Sequence, residues 1–175
     1  TSTARADEVI GLLTKSLEDF PLALLRLAQS PARSMTSWLI ADEAPHGFTI
    51  DQETELKSTG DSRAAVRYVS QSIEAETVKK HIDEGKQCTR LAMTWRDRIS
   101  FVLTEPLALK RIAPLDVIRE GDGDTRFDDA RAKFDSDFTL MAGELSGLLV
   151  DLVDALGGEP QDERGVVDTD LRAAA

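Results

Sequence analysis

A single cysteine, two histidines and no long apolar run set the first limits on this chain of 175 residues. Cys88 alone cannot close an internal disulfide, and it offers no zinc-ligand spacing. A reducing, cytoplasmic setting is the corresponding expectation, and Cys88 itself reads as a small residue at a strand start. His46 and His81 stand far apart, outside any metal-ligand spacing. His81, in a lysine-rich helix, reads as a surface residue. A membrane-spanning helix needs about 18 consecutive apolar residues, and the chain has no such run. Aromatics make up only 5% of the chain. Trp95 falls on an inward strand face and Tyr68 stands alone, so no platform for stacking bases is visible. No glycine-rich phosphate loop occurs, and GDGD at 121–124 lacks the closing Glu of a calcium loop. The opening TSTARADEV has neither an initiator Met nor an apolar signal core, and reads as a fragment whose preceding part has been removed.

What is present is an ordinary globular composition, 41% apolar and 30% charged, long enough for one domain with a core. The net charge is −11, but it is unevenly spread. Residues 57–119 hold 12 Lys and Arg against 8 Asp and Glu, a net of +4; residues 1–56 carry −5 and residues 120–175 carry −10. An acidic total argues against nucleic-acid binding, since phosphate neutralisation dominates that affinity. The basic middle keeps it in play.

Periodicity places the elements. Residues 3–19 repeat apolar positions at helical spacing, with Val9, Leu12, Leu13 and Leu17 on one face. Leu22 to Leu27 reads as a buried strand. Ser30-Pro31 supplies an N-cap with proline at the first helical position, for a helix ending near Asp42. Phe48 to Lys57 alternates as a strand, Gly60-Asp61 marks a turn, and Ala64 to Ile73 reads as its partner. Glu74 to Glu84 is helical and stops at Gly85. Leu107 to Ile112 gives a short strand or turn, and Leu115 to Arg119 a helical turn. A long helix then carries Phe127, Phe134, Phe138, Met141, Leu145, Leu148, Leu149, Leu152 and Leu156 on one face, stopped by Gly157-Gly158. Gly143 within it predicts the close approach of another element. This order predicts an α+β fold, antiparallel hairpins in a sheet packed with helices, in one domain over residues 1–158. Residues 159–175 are expected to be disordered.

The hairpin from Thr89 to Arg111 carries the most information. Leu91, Met93 and Trp95 share one face with Ile99, Phe101 and Leu103 across an Arg96-Asp97 turn. Its polar side holds a ridge with two readings. Arg90, Arg96 and Arg98 either pair with Asp97 and Glu105 and blunt a sheet surface, or join Lys57, Arg63, Arg67, Lys110 and Arg111 as a groove for phosphates. Residue chemistry alone favours the first. Asp128, Asp129, Asp135, Asp137, Asp151 and Asp154 raise an alternative, a metal-dependent exonuclease acting on DNA in which Asp135 and Asp137 hold Mg²⁺. The solvated-face reading of those acids is the simpler one.

Four ordered runs resemble a known family, the recombination-associated protein RdgC of proteobacteria: GFTIDQETELK at 47–57, GKQCTRLAMTWRDRISFVLTE at 85–105, LALKR at 107–111 and FDSDFTLMAGELSGLLVDLVDALGGE at 134–159. The resemblance runs from about Ala6 to Glu159 and covers the C-terminal portion of longer proteins. It implies a non-enzymatic protein that binds double-stranded DNA with little sequence preference. It further implies a ring-shaped homodimer whose basic hole encircles the duplex and which restrains RecA, nucleoid-associated in the cytoplasm, with no cofactor, metal or membrane. Lys57, Arg90, Arg98, Lys110 and Arg111 are the DNA-binding residues it implies by position, with Arg96 on the same ridge. Arg67 and Gln71 lie on the strand that approaches the hole in the family. The acidic C-terminal helix is expected to face away from DNA, serving packing or the dimer contact.

Overall fold

The computed structural model describes residues 3–60, 64–69, 75–120 and 130–160. Among them are five helices and five strands: α1 (Thr3–Ser16), α2 (Pro31–Ala41), β1 (Phe48–Ser58), β2 (Ala65–Val69), α3 (Ala75–Asp83), β3 (Lys86–Trp95), β4 (Ile99–Thr104), β5 (Leu109–Pro114), α4 (Asp116–Glu120) and α5 (Ala130–Ala155). The strands form one antiparallel sheet in the order β2-β1-β3-β4-β5. The expected α+β architecture is the one observed.

Local chemistry accounts for most boundaries. Ser30 caps α2, its Oγ accepting the Arg33 N–H at 3.3 Å, with Pro31 opening the helix. Asp42 ends α2 in the left-handed conformation (φ 55°), an αL stop made by a short polar side chain rather than glycine. The hairpin turns at Arg96 (φ 47°) and Asp97 (φ 53°), closed by the Arg98 N–H donating to the Trp95 carbonyl at 2.8 Å. Two consecutive positive φ values match the right-handed twist of the flanking strands. Gly157 and Gly158, at φ 88° and 72°, stop α5.

The core lies on one face of the sheet. Leu56, Cys88, Leu91, Met93, Trp95, Ile99, Phe101 and Leu103 point there, and Met35 and Leu39 of α2, Val78 of α3 and Leu148, Leu152 and Leu156 near the end of α5 close over them. The inward set predicted for the hairpin is the buried set. β3 carries an irregularity between its Glu55 and Leu56 partners, where Thr89 is the extra residue. Beyond it, Arg90, Ala92 and Thr94 turn to the opposite face.

Three expectations fail. Leu22 to Leu27 is not a strand, and Leu24 is 89% exposed, because an apolar run without a ladder partner says nothing about burial. The apolar face of α5 is buried only towards its C-terminal end: Phe134 and Phe138 are exposed and stack on each other, and Leu149 is exposed as well. A Cβ at Gly143 would meet nothing within 4 Å among the described residues, whereas one at Gly147 would lie 3.1 Å from the Trp95 ring, so the close approach falls one turn later. β2 is described only to Val69, so the remainder of the strand expected to Ile73, with Gln71, lies outside the described residues. Arg63, the 121–125 loop and the tail from 161 onward lie outside them too.

Candidate nucleic-acid interface

The sheet register sorts the predicted basic residues into two groups. Arg67 on β2 lies opposite Glu55 on β1, which lies opposite Arg90 on β3, which lies opposite Thr104 on β4. This row crosses four strands on the face away from the core. Lys57 is two residues from Glu55 and shares that face, and Lys110 on β5 pairs with Val102, two residues from Thr104. Arg111 reaches the same surface, for its Nη2 donates to Glu53 Oε2 on β1. Lys57, Arg67, Arg90, Lys110 and Arg111 therefore share one face.

Arg96 and Arg98 do not. They sit at the hairpin turn and are held by α5: Arg96 Nη2 lies 2.8 Å from Asp151 Oδ2, and Arg98 Nε donates to Glu144 Oε2 at 2.8 Å while its Nη2 donates to Oε1. The bidentate geometry makes Arg98–Glu144 the stronger pair. Asp151 Oδ2 also accepts the Trp95 indole N–H at 2.8 Å, and the Arg96 guanidinium stacks 4.9 Å from the Trp95 ring centre. The partners expected for these arginines, Asp97 and Glu105, are replaced by acids brought in from some 50 residues away. Sequence spacing cannot show such pairs. Arg96 and Arg98 fasten α5 to the sheet through two of its acids, Asp151 and Glu144.

On the open face, carboxylates organise the cations. Glu55 accepts from Lys57 Nζ at 2.9 Å and from Thr89 Oγ1 at 3.1 Å, and Lys57 is the main reason its carboxyl titrates below the ordinary range. Glu53 accepts from Arg111 and, at 2.8 Å, from Arg67, and these two hydrogen bonds, Arg111 first, depress its carboxyl. Lys57, Arg90 and Lys110 then line a cleft of about 240 Å³ with Glu55, Glu105 and Thr104. Arg90 Nε is buried without a hydrogen-bond partner, the sole such side-chain atom among the described residues. Asp51 of β1 accepts from Thr94 Oγ1 at 2.9 Å on the same face, so five cations face four carboxylates, Asp51, Glu53, Glu55 and Glu105. Sequence reading missed Glu53 and Glu55 as organisers, although their alternation with Lys57 marks an outward polar face.

Two other candidates have plain roles. Cys88 is buried; burial pushes its thiol up to about 11, against hydrogen bonds with Thr54 and the Arg90 carbonyl that pull it down. His81 bonds Glu84 and Lys86 at 3.2 Å. Among the described residues no three His, Cys, Asp or Glu side chains assemble as a metal site, Asp135 and Asp137 included, and no helix is long and apolar enough to cross a membrane.

The comparisons agree on one family. The family model described as "Putative exonuclease, RdgC" matches residues 1–159. The chain is 61% identical over 158 residues to a protein of Janthinobacterium sp. (strain Marseille) named recombination-associated protein RdgC. It is 61% identical over 159 residues to a protein of the same name from Bordetella pertussis, and 57% identical over 159 residues to one from Cupriavidus necator. Each match covers 90% of this chain and 52% of the relative, so the chain spans about half the length of these proteins.

Proposed function

Because the chain belongs to the RdgC family of recombination-associated proteins, we propose that it binds the phosphate backbone of double-stranded DNA through the open face of its sheet, without reading base sequence. The observation that carries this reading is the surplus of cations there: Lys57, Arg67, Arg90, Lys110 and Arg111 gathered from four strands, opposite the face that α2, α3 and α5 cover. Lysine and arginine side chains on a face where the described residues place no stacking aromatics suit phosphates, which fix position but carry no sequence information. Gln71 is assigned to the same interface by resemblance alone. Arg96 and Arg98 are not, because they sit at the hairpin turn and pair with Asp151 and Glu144 of α5, on the covered side of the sheet.

The same proposal extends to the whole protein. The chain corresponds to its C-terminal portion, and the complete molecule is a ring-shaped homodimer around duplex DNA that restrains RecA by occupying its substrate, in the cytoplasm at the nucleoid, without enzymatic activity. The test is binding of the full-length protein to several unrelated duplexes, with end-labelled duplex incubated in parallel with Mg²⁺ or Mn²⁺. Affinities within a few-fold of one another and intact ends are expected. A preference for one sequence as large as one mismatched base pair confers on a sequence reader, about 1–3 kcal/mol, would overturn the backbone reading. The word exonuclease in the family's description supports a second reading, strand shortening by bound metal. Shortening that disappears with Asp135→Asn and Asp137→Asn would establish it.

A further inference from the structure

The pairing around Glu53 goes beyond a salt bridge that stiffens the sheet. Its two carboxylate oxygens each take one guanidinium, Arg67 from β2 and Arg111 from β5, at opposite edges of the sheet. To reach β1, Arg111 crosses β4 and β3, and those strands carry Ala92 and Val102 opposite each other on this face, both buried. Arg111 does so from a left-handed backbone (φ 51°) at an irregularity in the β4–β5 ladder, a conformation seldom taken by a residue with a long side chain. Strain of this kind persists where the surroundings impose it, often at binding sites. Each guanidinium offers five N–H donors in a planar fork, and Glu53 engages Nη2 of each. Both side chains remain more than half exposed, at 51% and 56%, while that of Glu53 is 15% exposed. Donors are left facing outward around a nearly covered carboxylate.

We infer that Arg67 and Arg111 form a seat for one phosphodiester group, which Glu53 both assembles and competes for as a built-in anion. The inference rests on the proposed DNA-binding role and deepens it. A carboxylate between two guanidinium forks offers the oxygen geometry that a phosphate offers. In the free protein it satisfies the arginines and draws them together. When DNA docks, the backbone phosphate meets the outward donors, and the charge of Glu53 opposes it.

Glu53→Gln separates the two roles, since the amide keeps the shape and one acceptor oxygen but loses the charge. In the full-length protein at low salt, Glu53→Gln should bind duplex DNA about tenfold more tightly, a gain of about 1.4 kcal/mol. Its plot of log affinity against log salt should steepen by about 0.9, the increment for one further neutralised phosphate. Adding Arg67→Gln and Arg111→Gln should abolish that gain. If wild type binds DNA and folded Glu53→Gln binds it equally or less well, Glu53 is only a structural partner and the seat is refuted. If wild type shows no binding, the proposed function falls first and the seat with it. Should Glu53→Gln fail to fold by circular dichroism, Arg67→Gln on the edge strand decides instead. A flattened salt slope supports the seat, and an unchanged one overturns it.

Discussion

Removing the Asp151 carboxylate should cost more than its half-exposed ion pair suggests. Asp151 Oδ2 accepts from both Arg96 Nη2 and Trp95 Nε1 at 2.8 Å, but the two donors differ in surroundings. The Arg96 side chain is 56% exposed, so water replaces its partner and the pair contributes about 0–1 kcal/mol. Trp95 is 3% exposed, and its indole N–H is left without an acceptor when the carboxylate goes, at a cost of about 1–3 kcal/mol. Asp151→Ala should therefore destabilise by about 2–3 kcal/mol, most of it from the indole. Arg96→Gln should cost under about 1 kcal/mol. Asp151→Asn, which keeps an acceptor for the indole, should fall between. Urea unfolding followed by tryptophan fluorescence and by circular dichroism gives all three values from the shift in midpoint at constant slope. The reasoning is refuted if Asp151→Ala costs no more than Arg96→Gln, for then the indole does not depend on Asp151.

Two glycines of α5 make an internal contrast. Gly143→Ala meets open space and should stabilise by about 1 kcal/mol through helix propensity. Gly147→Ala places its Cβ 3.1 Å from a Trp95 ring that Asp151 holds in place, so overpacking should outweigh the same propensity gain and leave a net loss of about 1 kcal/mol in urea unfolding. Cys88 should resist a thiol reagent at pH 8 until the chain unfolds. Because its folded pKa, about 11, lies above the ordinary 9.0, the stability this thiol contributes is complete below pH 9 and fades as pH rises towards 11. Ready labelling of the native protein at pH 8 would show that the site opens locally.

The sheet was the legible part of this chain. Period-two alternation marked Leu91, Met93, Trp95, Ile99, Phe101 and Leu103 as inward because each strand buries one face, and all six are core residues. The cap at Ser30-Pro31 and the stop at Gly157 were readable because their causes are local. What failed depends on which elements meet. Helical spacing puts Phe134 and Leu148 on one stripe, but only the C-terminal part of α5 has a sheet beneath it. The same helix holds Arg96 and Arg98 at the hairpin turn through Asp151 and Glu144, a placement set by contacts between Trp95, Gly147 and Asp151 that no local pattern encodes. Glu53 was visible as an outward acid on β1, yet its grip on arginines from two sheet edges follows only from the strand order and from the irregular backbone at Arg111. The shared ordered runs, by contrast, were sufficient for the family.

The claim that the open face of the sheet is the DNA-binding surface meets its most direct test in the salt dependence of duplex affinity for two sets of variants in the full-length protein. Lys57→Gln with Arg90→Gln and Lys110→Gln removes three cations from the open face, and Arg96→Gln with Arg98→Gln removes two from the α5 contact. Each phosphate contact contributes about −0.9 to the slope of log affinity against log salt. The first set should flatten that slope by about 2–3, and the second should leave it unchanged while lowering stability. A slope that flattens only in the second set, or equally in both, would contradict the assignment.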